Sequence, residues 1–211
     1  ELHHLRILLL LQQGDLAEAM KAAQTGVKFV HTNWVLFLDK AIIHGLLGEY
    51  VEAHATLAEI AVRNEANRRG VRVVKMWLAR LQGDWEQSEL LSNQANTAQN
   101  TRFAKEDYGA CISLNAGQLA RLKDLPQLAA AHFAKAIKFK PHLTELFGKY
   151  LEPVKRVHSD SEAQATPDEL LQEALVIFTL AQDARHHHAI LGQFKAITVR
   201  RSQFIEKDDD I

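Results

Sequence analysis

The chain has a single cysteine, Cys111, in 211 residues. That excludes an internal disulfide and any zinc site built from several thiolates. A chain of this length hides roughly 70% of its extended surface on folding, so it needs neither. Only four prolines and ten glycines interrupt it, which leaves room for long helices. Neither sign of charge dominates: 25 Lys and Arg against 26 Asp and Glu leave a net charge of −1. Bulk charge therefore points to neither nucleic acid nor an anionic membrane as a partner. The longest apolar run, Ile7-Leu8-Leu9-Leu10-Leu11, is far short of the ~20 residues that span a bilayer. Gln12-Gln13-Gly14-Asp15 follows it, with no small-residue cleavage site. The lone cysteine suits a reducing compartment, so a cytoplasmic location is expected. The chain starts with Glu1 rather than Met and reads as a fragment or processed form.

What is present is a repeat. Gln13-Gly14-Asp15-Leu16-Ala17-Glu18-Ala19, Leu47-Gly48-Glu49-Tyr50-Val51-Glu52-Ala53 and Gln82-Gly83-Asp84-Trp85-Glu86-Gln87-Ser88 share one pattern. Each reads Gly, acid, large apolar, any residue, Glu or Gln, then Ala or Ser, and the glycines fall 34 and 35 residues apart. Gly ends one helix in a conformation that a side chain opposes, and the acid opens the next at its positive end. The small residue lets the paired helix approach closely.

These segments resemble the tetratricopeptide repeat (TPR), a unit of two antiparallel helices joined by a Gly-Asp-Tyr type of turn. A fourth, shifted unit resembles it too, with Gly117, Ala120, Asp124-Leu125-Pro126, Ala129, Phe133, Ala136 and Pro141. The resemblance covers residues 1 to about 141, with some seven extra residues near Asn96–Thr101. It departs from the family at Lys40 and Lys75, where Leu is usual. The fold it implies is all-α, an α-α superhelix of about four irregular helix pairs. Residues 142–211 are expected to form a C-terminal helical cap, because each pair has an apolar face that only a neighbour can cover.

Apolar spacing and turn residues predict helices near 2–13, 16–30, 34–46, 50–65, 71–82, 85–97, 103–122, 126–139, 142–156, 167–182 and 184–205. Pro153 is expected to kink or end the ninth. His158–Ala165 reads as a loop, and Thr166-Pro167-Asp168-Glu169 as a strong helix start. The tail from Glu206 to Ile211 is expected to fray.

Little of the sequence points to chemistry. It lacks a phosphate loop, a Gly-x-Gly-x-x-Gly, a His-Glu-x-x-His and a Gly-x-Ser-x-Gly, so no catalytic residue, cofactor or enzymatic activity is expected. His186-His187-His188 fan out about 100° apart on a helix, and no metal site is expected there, even with Asp183 one turn before His187. His3 and His4 read as part of a frayed start. Cys111 reads as a buried, inert thiol. The basic cluster Arg63, Arg68, Arg69, Arg72, Lys75 and Arg80 has Glu49, Glu52, Glu59 and Glu65 close by, and reads as an ion-paired turn between helices. Arg6, Lys40 and Lys75 share one repeat position on the back of the first helices, where their stems cover apolar surface.

The TPR resemblance implies a groove lined by the first helix of each unit, with a protein segment as its ligand. Carried over by register, the groove positions are His4, Leu8 and Leu11; Leu38, Ile42 and Gly45; Val73, Trp77 and Arg80; and Leu114, Gln118 and Arg121. The partner-binding residues expected among them are Leu8, Leu11, Leu38, Ile42, Val73, Trp77, Arg80, Gln118 and Arg121, with Trp77 as the anchor. An aliphatic strip ending in arginines suits an apolar or amphipathic segment with an acidic end. The Lys and Asn pattern of the family's carboxylate clamp is missing, so chaperone-type tail binding is not expected. The alternative is that the strip is covered by the chain's own C-terminal helix or by a further repeat. At the level of function, the alternative to a protein-interaction module is a sensor or regulatory region of a larger protein, such as a bacterial transcription regulator, that binds a small ligand or an intramolecular domain.

Overall fold

A computed structural model describes residues 2–63, 65–97, 105–151 and 164–179. The chain divides into two compact units, Glu1–Ala181 and Gln182–Ile211, and every described residue lies in the first. Its helices are α1 (Leu2–Gln12), α2 (Leu16–Phe29), α3 (Trp34–Leu46), α4 (Tyr50–Ala58), α5 (Glu65–Leu81), α6 (Trp85–Thr97), α7 (Lys105–Leu122), α8 (Pro126–Phe139), α9 (Thr144–Phe147) and α10 (Pro167–Thr179). The described residues contain no strand, and none of their helices is long and apolar enough to cross a membrane. The extra residues near 98–104, Pro153, most of the loop at 158–165, the helix at 184–205, the histidine run and the acidic tail lie outside the described residues.

Four helix pairs stack in order: α1 with α2, α3 with α4, α5 with α6, and α7 with α8. The same turn joins each pair. The backbone N–H of Gly14 donates to Leu11 and that of Asp15 to Leu10, and the two bonds recur at Gly48 and Glu49, Gly83 and Asp84, and Asp124 and Leu125. This is a Schellman closure, which needs one residue with positive φ. Gly14, Gly48 and Gly83 supply it at φ 75°, 77° and 80°, and Asp124 supplies it at 53°. The fourth unit therefore repeats the turn without its glycine, because Asp is among the few residues that tolerate this conformation.

Ala19, Ala53, Ala129 and Ala136 are all buried, as expected for the small positions where helices approach closely. Ser88 fills the same slot in the third unit and donates to the Met76 carbonyl at 2.9 Å. We predict that Ala53→Leu overpacks its junction and costs about 1–3 kcal/mol. An unchanged denaturation midpoint would show that this position has room to spare.

Three expected helices differ. The helix expected over 71–82 begins at Glu65, so Arg68, Arg69 and Arg72 of the basic cluster lie within α5 rather than in a turn between helices. The helix expected over 50–65 stops at Ala58, and the chain turns to bury Ile60. The helix expected over 142–156 is broken, with 3₁₀ turns at Pro141–Leu143 and Gly148–Tyr150 flanking the single turn of α9. The breaks seat Leu143 and Phe147 in the core, where Phe147 stacks on Phe133 at 5.4 Å. Tyr150 stacks on the same Phe133 ring at 5.0 Å.

The face of the first helices as a candidate functional site

The first helices, α1, α3, α5 and α7, all pack against α10. This helix begins with a capping box. Thr166 Oγ1 accepts from the Glu169 N–H at 3.3 Å, and Glu169 Oε2 accepts from the Thr166 N–H at 3.2 Å, with Pro167 opening the first turn. From there α10 runs across the repeats in reverse order, from the fourth pair to the first. Glu169 meets α7, Glu173 meets α5, and Phe178 lies 5.7 Å from the His4 ring of α1.

All nine residues expected to bind a partner are buried rather than on an open face, and Trp77, Arg80, Gln118 and Arg121 touch this helix. Leu8, Leu11, Leu38, Ile42, Val73, Trp77, Arg80, Gln118 and Arg121 are each 7% exposed or less. The helix that packs on these first helices, α10, belongs to the expected C-terminal section of the chain. The aliphatic members are core residues. The polar members form two carboxylate sites.

At the first site the Trp77 indole N–H donates to Glu173 Oε2 at 2.9 Å, and Arg80 Nη2 forms a short ion pair with the same oxygen. Arg80 Nε donates to Asn115 Oδ1 at 2.9 Å, and Asn115 Nδ2 donates to Ser88 Oγ at 2.9 Å. A buried polar chain thus ties α5, α6, α7 and α10 together. The Trp77 ring lies over Gly45 of α3. A Cβ built on that glycine would come within 2.6 Å of it, so only glycine admits the ring there.

At the second site Glu169 Oε2 accepts from Arg121 at 3.1 Å and from Gln118 at 3.4 Å, and Gln118 Oε1 accepts a 2.7 Å bond from Arg121. Its other oxygen accepts from the Tyr150 hydroxyl at 2.6 Å and pairs with Lys149 at 2.8 Å. The Arg121 guanidinium sits 4.1 Å from the Tyr150 ring centroid, close enough for a cation–π contact. Burial alone pushes the Glu169 carboxyl up. The bonds from Lys149, Tyr150 and Thr166 and the charge of Arg121 outweigh it and hold the group below the ordinary carboxylate range.

A depressed folded-state value means that Glu169 contributes stability above about pH 4.5, which is lost as pH falls through the folded value. Acid titration of the Glu169→Gln variant should therefore show a flatter loss of stability in that window than the parent chain. Identical slopes would refute the assignment.

At the far end, His4 is not part of a frayed start. It is buried, and a 2.6 Å hydrogen bond joins its Nδ1 to the equally buried Asp39 of α3. Burial pushes the Asp39 carboxyl up, and the His4 ring partly offsets this.

Comparison of the chain with protein-family models, curated proteins and solved structures found no match.

The acidic half of this site, Glu169 and Glu173, is not among the residues expected from sequence, nor are Asn115 and Tyr150. One signal was available: carboxylates at 169 and 173 fall in the same helical stripe as Ile177, one turn apart. Acids inside an apolar stripe need cations opposite. The basic cluster is divided. Arg80 turns inward to Glu173, whereas Arg69 lies 5.9 Å from the Tyr108 ring. Arg6 and Lys75 are exposed and Lys40 is half-buried. Among the described residues, no group of three or more His, Cys, Asp or Glu is placed to hold a metal.

A separate cleft of about 180 Å³ lies between α6, α7 and α8, where Lys123, His132 and Lys135 border Ile112 and Leu119. Lys123 is paired with Glu89 across it at 2.7 Å.

Proposed function

We propose that the chain is a non-catalytic protein–protein interaction module, a tetratricopeptide-like stack that presents the face of its first helices to a protein segment. The observation that carries this reading is α10 itself. An amphipathic helix lies across all four first helices, and its carboxylates are held by side chains from two successive pairs. Such a face has the apolar floor and fixed polar contacts of a helix-binding groove. The occupant belongs to the same chain, which favours a second reading, a regulatory region of a larger protein that holds an intramolecular segment.

Hydrogen exchange on the full chain, alone and with proteins captured by it, tests the first reading. Partner binding should release α10 while α1, α3, α5 and α7 stay protected. Protection that changes only on α2, α4, α6 and α8 would move the interaction to the other face. An α10 that no partner ever releases would support a fixed internal helix.

A further inference from the structure

Arg80 and Arg121 are both buried in the face of the first helices, and each meets a carboxylate of α10. The two acids are four residues apart, which is about 6 Å along a helix. A ligand taking the place of α10 without matching charges would strand two buried guanidiniums, a severe penalty in a low-dielectric site. Trp77 adds a buried indole donor, and Tyr150 a hydroxyl, both pointed at these carboxylates. The cations and donors thus specify charge, number and spacing in whatever binds.

We propose that this face recognises an amphipathic helix of another protein that carries two carboxylates one turn apart, with α10 as the built-in competitor. The inference rests on the interaction-module reading and adds the chemistry of the partner. The apolar requirement comes from the same template. Ala174, Ile177 and Phe178 are buried with the two glutamates, so the partner needs apolar groups one residue and one turn beyond its second acid. A basic helix is excluded by Arg80 and Arg121, and a wholly apolar one leaves them without charge partners. Because α10 is tethered, it competes at high effective concentration. A free partner should therefore bind weakly until α10 is displaced.

The probes are labelled synthetic peptides. One has the sequence of residues 164–179; the other is an unrelated amphipathic helix that keeps only the two glutamates and the apolar offsets. Each is titrated against the full parent chain and against the full chain carrying Glu169→Lys and Glu173→Lys, in which like charges oppose α10. Circular dichroism checks that this chain stays folded. Should it unfold, Glu173→Gln replaces it, since that change keeps the shape and leaves Trp77 an acceptor.

Both peptides should bind the displaced chain at least tenfold more tightly than the parent. Their Glu→Gln versions should lose about tenfold or more, and high salt should weaken only the charged peptides. Equal binding of Glu and Gln peptides would overturn the acidic-partner inference while leaving a helix-binding groove. No binding of any peptide to a folded, displaced chain would overturn the groove reading as well.

Discussion

Replacing Glu173 with alanine will lower the unfolding free energy by about 3–5 kcal/mol, as will replacing Arg80, because either change leaves a charged partner buried and uncompensated. Both side chains are 4% exposed or less, so water cannot screen the stranded group. The cost belongs to breaking the pair, not to lacking one. Glu173 Oε1 has no hydrogen-bond partner among the described residues, so the native pair is incompletely satisfied. Substituting both members with apolar residues of similar size, Arg80→Met with Glu173→Leu, should recover most of the loss. The measurement is a double-mutant cycle by chemical denaturation. A Glu173→Ala cost below about 1 kcal/mol would show α10 to be only loosely held. Failure of the apolar pair to recover stability would assign the ion pair a net favourable role.

Trp77→Ala should cost about 3–5 kcal/mol, the range for deleting a large buried aromatic. Trp77 is among the largest fully buried side chains, with its ring against Gly45 of the preceding pair and its N–H on Glu173 of α10. Three parts of the molecule lose contacts together. Trp77→Phe narrows the causes, since it removes the donor and keeps a buried aromatic ring, though a smaller one whose lost volume adds its own cost. About 1–2 kcal/mol is expected for that lost bond. Because Trp77 and Arg80 share one carboxylate, Trp77→Ala and Glu173→Ala combined should cost less than their sum. Strict additivity in thermal or urea melts would mean that the indole and the carboxylate do not interact. Leu38→Glu and Trp77→Glu, which would serve as partner-binding knockouts on an open groove, should instead destabilise the fold. Both positions are core.

The repeat was legible in the sequence because its causes are local. A positive-φ residue closes each helix, an acid or its equivalent opens the next, and a small residue follows at fixed spacing. Gly14, Gly48, Gly83 and the small residues after them therefore mark the pairs in one dimension. The start of α10 was legible for the same reason, since Thr166, Pro167 and Glu169 make their capping contacts within three residues. The register implied by the TPR resemblance named Leu8, Leu38, Trp77 and Arg121, one on each first helix, and all four are buried.

What occupies the first-helix face was decided by tertiary structure. Trp77 and Glu173 are 96 residues apart in sequence, and Arg121 and Glu169 are 48 apart. No propensity or periodicity couples groups at such separations. The same holds for His4, which pairs with Asp39 across two helices, and for Ile60 and Phe147, whose burial ends helices that local pattern would continue. The sequence by itself determined the turns that pair the helices and the chemical inventory of the first-helix face. Only the folded chain set two glutamates of one helix against two arginines of two others, because burying those charges is tolerable only when long-range packing brings them together.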